Sequence, residues 1–420
     1  MDPRIRVEWD RRHSGSPLVS PASIYGLYIA FYEGASTTTR ISVSSAVLEW
    51  AIQRSGKSIN TLRNRFPALD DWRSGAKKPT LNQLRQFATT TFTPLGYLFL
   101  ETPPVETLPV PHFRTHDPSA RSYPSANLLD TVFAMQRRQT WAREYLHEQG
   151  QVAVPLVGWA EATDPPGATA ERLRALLGLE RGWAHGQNTW EGALLHLVEV
   201  LEAQGVMVVL NGVVANNTSR ILSVAEFRGF ALADDYAPLI FVNGADAKGA
   251  QLFTIAHELA HLAFGTSAAF DLRNLLPSDD PTERACNDVA AEFLVPSVLL
   301  QAYWAEIRHH EDWAGLISRR FKVSRIVALR RTLDLHLITR REFFNLYNDW
   351  SLQEHSTKKA LGGDFMAMQR YRVGALFGRL VASAVAEGVI TYPEAFGLTD
   401  LRGSTFDHFT ASVDHLAGRP

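Results

Sequence analysis

Along the 420 residues, the hydrophobic positions switch between a helical and a strand-like spacing. From Val47, the apolar Leu48, Ala51, Ile52 and later Leu62 recur every three or four residues, as on one face of a helix, with a break at Ser55-Gly56. A further helix is predicted over 80–90, behind Gly75 and Pro79, with Thr80 as its N-cap. The prolines from Thr102-Pro103-Pro104 to Pro109-Val110-Pro111 predict an extended linker, because each disfavours helix in the residue before it. Helical pattern resumes to about Glu148, and Pro155, Pro165, Pro166 and Gly167 mark a second boundary over 155–170. After an amphipathic helix at 191–203, three short runs at 206–210, 229–233 and 239–242 have strand composition. Another helix starts after Gly244, and the remainder to Leu416 reads mainly helical. The fold class is therefore α+β, mostly helical, with a small central sheet.

The helix predicted at 249–264 contains His257-Glu258-Leu259-Ala260-His261. Two histidines four positions apart lie about 40° apart around a helix, so both imidazoles can reach one metal ion. Glu258 sits beside that face, where a carboxylate can take a proton from an activated water. Leu252, Phe253, Ile255, Ala256, Leu259, Leu262 and Phe264 make this helix apolar nearly all round, which predicts burial. Buried histidines and carboxylate need partners, either a metal or, in a purely structural core helix, backbone carbonyls.

A catalytic zinc site usually has three protein ligands and one open position. Asp280-Pro281 predicts another helix start, with Asp280 as N-cap and Pro281 in the first turn. Its carboxylates Glu283, Asp288 and Glu292 are the candidates for the third ligand. With Glu283 at 0° on a helical wheel, the apolar residues span about 200° to 20°, which leaves Asp288 and Glu292 toward the solvated side. Glu283 lies at the edge of the buried face and is the best third ligand; its competing role is a capping-box contact to the Asp280 amide. Asn287, one turn on at about 40°, can support a ligand beside it. Cys286 reads as a small buried residue, although its sulfur is soft enough for zinc. His309-His310 are adjacent, point about 100° apart and do not suit a shared ligand role.

Composition narrows the class. The chain is 45% hydrophobic and 20% charged, which excludes global disorder, and one cysteine excludes an internal disulfide framework. The start lacks the apolar core of a secretory signal, and no run approaches the roughly 20 apolar residues of a spanning helix. These features lead to the expectation of a cytoplasmic protein with no membrane role. The net charge of −2 conceals +5 over 45–100, −5 over 244–300 and +5 over 308–342, so any nucleic-acid role must come from a local patch.

The motif and the segment Glu283-Arg284-Ala285-Cys286-Asn287-Asp288-Val289-Ala290-Ala291-Glu292-Phe293-Leu294-Val295-Pro296 together resemble the ImmA/IrrE family of zinc metallopeptidases. Trp72-Arg73-Ser74-Gly75, Lys78-Pro79-Thr80-Leu81-Asn82-Gln83-Leu84 and Pro94-Leu95-Gly96-Tyr97-Leu98-Phe99-Leu100 resemble the XRE-type helix-turn-helix that precedes the peptidase in one branch. Phe113-Arg114-Thr115 and the tail from Gly362-Gly363-Asp364-Phe365 to Thr405-Phe406 are similar to that branch too. The resemblance implies a zincin-like core at 170–300, an XRE-like module at 45–105, a connection at 106–169 and a helical region at 301–420; 1–44 lies outside it and has no role assigned. It implies Zn2+ held by His257, His261 and Glu283, with Glu258 as catalytic base. The implied substrate is a protein, such as an XRE-type repressor cleaved under stress or in phage or mobile-element control. The alternative is a DNA-binding regulator that uses the peptidase fold as a sensor or docking domain. In the recognition-helix position, Phe66-Pro67-Ala68-Leu69-Asp70-Asp71-Trp72 is short and acidic, which favours protein docking over phosphate contact. The segment 316–331, two short helices around a Val-Ser turn, is a more basic second candidate for DNA or a solvated face of the peptidase. These motifs encode neither the substrate's identity nor the oligomeric state.

Overall fold

A computed structural model describes residues 39–106, 124–270, 280–354 and 365–414. The expectations for the N-terminal extension up to residue 38, for Pro109 and Pro111, for Phe113-Arg114-Thr115 and for Gly362-Gly363-Asp364 lie outside these residues. The chain divides into two compact units, Met1–Glu106 and Thr107–Pro420.

The first unit is helical: α1 (Ser45–Ser55), α2 (Ile59–Arg65), α3 (Leu69–Ser74) and α4 (Leu81–Thr91), then a 3-10 turn over Leu95–Phe99. Its punctuation follows the sequence. Gly56 ends α1 at φ 65°, Ser58 caps α2 by accepting from the Thr61 amide, and Thr80 and Gln83 form a reciprocal capping box on α4. Leu48, Leu62, Leu69, Trp72, Leu84 and Phe87 fill the core, where Phe66, Trp72 and Phe87 pack ring against ring. On α3, Asp70 pairs with Arg63 and Arg73, and Arg73 also pairs with Glu49.

In the second unit, helices α5 (Ala126–Glu148), α6 (Pro166–Leu176) and α7 (Trp190–Ala203) precede the strands. Pro166 does not extend the boundary expected there: it occupies the first turn of α6, where its missing N–H costs no helical hydrogen bond. Strands β1 (Met207–Asn211), β2 (Val213–Val214), β3 (Asn217–Ile221), β4 (Gly229–Leu232) and β5 (Leu239–Asn243) lead into helix α8 (Lys248–Ala263) and strand β6 (Ala268–Phe270). The main sheet has the order β1-β5-β4-β6, with β1 and β5 parallel and the other pairs antiparallel; β2 and β3 form a separate hairpin. Alternate strand residues serve two cores. Val208, Leu210, Ala231, Ile240 and Val242 pack with α6, α7 and α8, whereas Met207, Val209, Phe230, Leu232 and Phe241 face the other way onto α5. Burial of both faces explains why β1 and β5 read as continuous apolar runs. The run at 229–233 forms an inner strand, hydrogen-bonded to β5 on one side and β6 on the other.

Helices α9 (Pro281–Leu294), α10 (Ser297–Ile307), α11 (Trp313–Phe321), α12 (Arg325–Asp334) and α13 (Arg340–Glu354) follow. The expected pair around the Val-Ser turn is α11 and α12, with Ser324 capping α12. Ile317, Phe321 and Val327 bury this pair in the same core as α8 and α9, and four of its basic residues are ion-paired: Arg319 and Arg325 with Asp312, Arg330 with Asp334, Arg331 with Glu292. Finally α14 (Phe365–Val373), α15 (Ala375–Ala386), α16 (Tyr392–Thr399) and α17 (Ser404–Asp414) close the chain. The last three pack with α5 against the sheet's second face. Among the described residues no helix is long and apolar enough to cross a membrane.

Candidate metal centre

Helix α8 is buried over its whole length from Gly249 to Ala263, with His257, Glu258 and His261 all fully enclosed. Strand β4 comes so close that a Cβ on Gly229 would meet Thr254 Cγ2 at 2.5 Å and the Phe241 carbonyl oxygen at 2.7 Å. That glycine lets the sheet pack directly over Glu258, whose Oε1 lies 3.4 Å from the same point. Across from α8, helix α9 starts as its sequence predicts: the Asp280 side chain accepts from the Thr282 amide and Pro281 stands in the first turn. Glu283 is thereby aimed at the two histidines and makes no capping-box contact.

The hydrogen bonds fix both imidazoles. His257 Nδ1 lies 3.1 Å from Asn287 Oδ1, and His261 Nδ1 lies 3.1 Å from Thr266 Oγ1. The Thr266 hydroxyl itself donates to the His261 carbonyl at 3.2 Å, so it accepts from the ring. Each Nδ1 therefore carries the proton, and each Nε2 presents a lone pair. These two Nε2 atoms face one another at 3.1 Å. Glu283 completes the group, with Oε2 at 3.2 Å from His257 Nε2 and Oε1 at 3.3 Å from His261 Nε2. Acceptors converge here without protons between them, and Glu283 Oε1 and both Glu258 oxygens are buried without a hydrogen-bond partner. Such an arrangement repels itself unless a cation stands at its centre. Tetrahedral coordination with bonds of 2.0–2.1 Å places ligand atoms about 3.3 Å apart, so the observed separations fit a metal.

Electrostatics agree. Burial pushes His257 down to about 4, so the ring is neutral at pH 7 and able to donate a lone pair. Burial first, then the neighbouring Glu283 charge, pushes Glu258 well above its ordinary value. A divalent cation beside it reverses that balance.

The structure thus brings His257, Glu258, His261, Glu283 and Asn287 to one place. Cys286 is fully buried and raised well above its ordinary value, by burial and then by Glu283 and Glu258. Asp288 stays on the outer face of α9. Glu292 departs from the solvated position expected for it: its carboxylate pairs with Arg331 and accepts from the Ser297 amide and hydroxyl. The reason is that α9 packs on more than one side, so the wheel position opposite Glu283 is also enclosed. His309 and His310 lie in the exposed turn after α10, away from the centre. Thr266 went unnoticed in the sequence. Its signal is positional, a hydroxyl residue immediately after Gly265, which leaves the helix in the left-handed region at φ 66°.

Residues 202–333 match the family model of the IrrE N-terminal-like domain, of the Peptidase_M78 family. This segment is similar to the IrrE N-terminal-like domain. It contains β1 to β6, the α8 and α9 site and the helices through most of α12. The match supports a metallopeptidase-like role for the IrrE N-terminal-like domain, and that role implies a metal. Residues 373–412, which include α15 and α16, match a domain of unknown function (DUF8813). No curated protein matches the chain.

Proposed function

We propose that the IrrE N-terminal-like domain is a zinc-dependent endopeptidase acting in the cytoplasm, with His257, His261 and Glu283 as zinc ligands. The observation that carries this reading is the meeting of two unprotonated Nε2 atoms and the Glu283 carboxylate at ligand-to-ligand distances. Bound zinc supplies Lewis acidity, which polarises the scissile carbonyl and acidifies the attacking water. Asn287 and Thr266 hold the rings so that Nε2 points inward. Glu258 accepts the proton of the attacking water and returns it to the amine nitrogen as the C–N bond breaks. The enclosed wall of β4 and α8 keeps bulk water from competing for that proton.

The proposed substrate is a protein, such as an XRE-type repressor whose cleavage relieves repression under stress or in phage or mobile-element control. Co-expression of the chain, or its Glu258→Gln variant, with an XRE-type repressor, followed by mass spectrometry of fragments, tests it. Fragments with the wild type and a loss of at least about 100-fold with Glu258→Gln are expected; equal cleavage by both sinks the assignment. A second reading, a DNA-binding regulator, draws on the exposed Lys77, Lys78 and Arg85 of the first unit. Sequence-specific gel shifts that survive Glu258→Gln, without proteolysis of any partner, would favour it.

A further inference from the structure

A cavity of about 320 Å³ lies between α5 and α16, and no residue of the metal centre lines it. Small-molecule sites span about 300–1,000 Å³, so the space suits a compact ligand. Its apolar walls include Trp141, Ile390 and Leu398, which pack on the second core yet stay only partly buried. Gly397 forms another part of the wall, inside α16, where glycine weakens a helix. Its φ is not positive, and a Cβ there would meet nothing within 4 Å. Neither backbone conformation nor close packing therefore requires this glycine, and its effect is to leave the wall open.

Four charged residues complete the lining: Arg137, Arg138, Glu394 and Asp400. Arg138 is 4% exposed, and its guanidinium donates to the Leu398 and Arg372 carbonyls and to Asp400. A guanidinium has five N–H donors, so two remain for a further acceptor. Arg137 has no hydrogen bond or ion pair among the described residues. Glu394 engages only Oε2, which accepts from the Thr391 amide and hydroxyl, and leaves Oε1 open. With Arg138 and Asp400 paired, one cation and one anion remain on the wall, and they do not pair with each other.

We infer that this cavity binds a free apolar α-amino acid as its zwitterion. The carboxylate meets Arg137 and the spare N–H groups of Arg138, since guanidinium forks suit carboxylate geometry. The ammonium meets Glu394 Oε1, and the side chain lies against Trp141, Ile390 and Leu398. A simple anion would leave Glu394 uncompensated and a simple cation would leave Arg137 so; the zwitterion balances both. Ile390, Glu394, Gly397, Leu398 and Asp400 all fall within 373–412, so the inference gives that domain of unknown function a ligand.

Equilibrium dialysis of the purified full chain against radiolabelled L-leucine and L-phenylalanine tests this. Both should be retained. L-phenylalaninamide lacks the carboxylate and N-acetyl-L-phenylalanine lacks the ammonium, so each should compete about 10-fold less well or worse. Arg137→Gln, at an exposed position, should lower affinity by a similar factor, and Gly397→Leu should block the cavity. Amino acids also ligate metal ions, and Glu283→Ala, which removes a proposed zinc ligand, should still retain them. Retention of neither amino acid overturns the inference, as does unchanged binding by Arg137→Gln. Equal competition by N-acetyl-L-phenylalanine overturns the zwitterion. Loss of binding in Glu283→Ala moves the amino acid to the metal and overturns the site. If Gly397→Leu does not fold, Arg137→Gln still decides.

Discussion

Helix α9 carries two glutamates nine residues apart that are equally enclosed, each side chain 15% exposed, yet their surroundings are opposite. Glu292 is surrounded by donors: the Arg331 guanidinium, the Ser297 amide and the Ser297 hydroxyl. Glu283 is surrounded by acceptors, two imidazole Nε2 atoms without protons. Burial alone therefore does not separate a structural carboxylate from a chemical one. What separates them is whether the chain itself supplies the compensating positive charge. At Glu292 it does, through an arginine from α12; at Glu283 the compensation must come from outside the chain.

The same substitution at the two positions should have opposite consequences. Glu292→Ala leaves the Arg331 guanidinium buried without its carboxylate and should lower the unfolding free energy by about 3–5 kcal/mol. Zinc uptake by the folded fraction should be unchanged. Glu283→Ala should leave metal-free stability nearly unaltered, because it removes a carboxylate that the apo chain satisfies poorly, while zinc affinity falls by more than about 100-fold. Urea unfolding and a chelator competition on both variants make the measurement. Comparable losses of stability from the two changes would erase the distinction drawn between them.

How much of this contrast the sequence could show depends on how local its causes are. His257, Glu258, His261 and Glu283 were legible because helical periodicity places them, and because Asp280-Pro281 fixes the start and so the phase of α9. The Thr80 cap of α4 was legible for the same local reason. Glu292 was misplaced because its partner Arg331 lies 39 residues on, and no wheel drawn for one helix contains it. The hairpin of β2 and β3 escaped notice because Asn217-Thr218-Ser219-Arg220 is polar throughout, so it carries no apolar alternation. Strand β6 escaped because three residues are too few to show a period, and the pairing that gave β4 its second neighbour is non-local. Thr266 is a single hydroxyl, visible only through the ring it holds.

A third buried carboxylate lies between these extremes. Glu202, at the end of α7, is 6% exposed and accepts a 3.0 Å hydrogen bond from the Leu376 amide at the start of α15. Burial raises it from its ordinary 4.5 to about 7, and the amides of Leu376 and Ala375 with Arg379 and Arg370 offset this only in part. Between pH 4.5 and 7 the folded chain keeps the Glu202 proton while the unfolded chain has lost it. Its contribution to stability is therefore present at low pH, falls as pH rises through this window by about 3 kcal/mol in all, and is level above it. Glu202→Gln should abolish that share of the pH dependence. Unfolding free energies of the two proteins at pH 5 and pH 7.5 give the answer; parallel curves would show that Glu202 is as well compensated as Glu292.

The smallest effect is expected where the comparison is finest, at the groups that merely aim the imidazoles. Thr266→Val keeps the side chain's shape but removes the oxygen that accepts from His261 Nδ1–H. The ring then loses the contact that keeps its proton on Nδ1 and its lone pair on Nε2, so zinc affinity should fall by about 10–100-fold with little change in stability. Thr266→Ser restores the hydroxyl and should restore affinity, which a packing role for the Thr266 methyl would not predict. Asn287→Ala acts on the other imidazole through a separate hydrogen bond. If the two rings are oriented independently, the double variant loses the sum of the two single losses in free energy, as sites without shared partners do. A double loss well short of that sum would mean that the two rings respond as one unit. Because the two Nε2 atoms lie 3.1 Å apart, a chelator competition on the four proteins of that cycle resolves whether orientation is fixed ring by ring or by the metal itself.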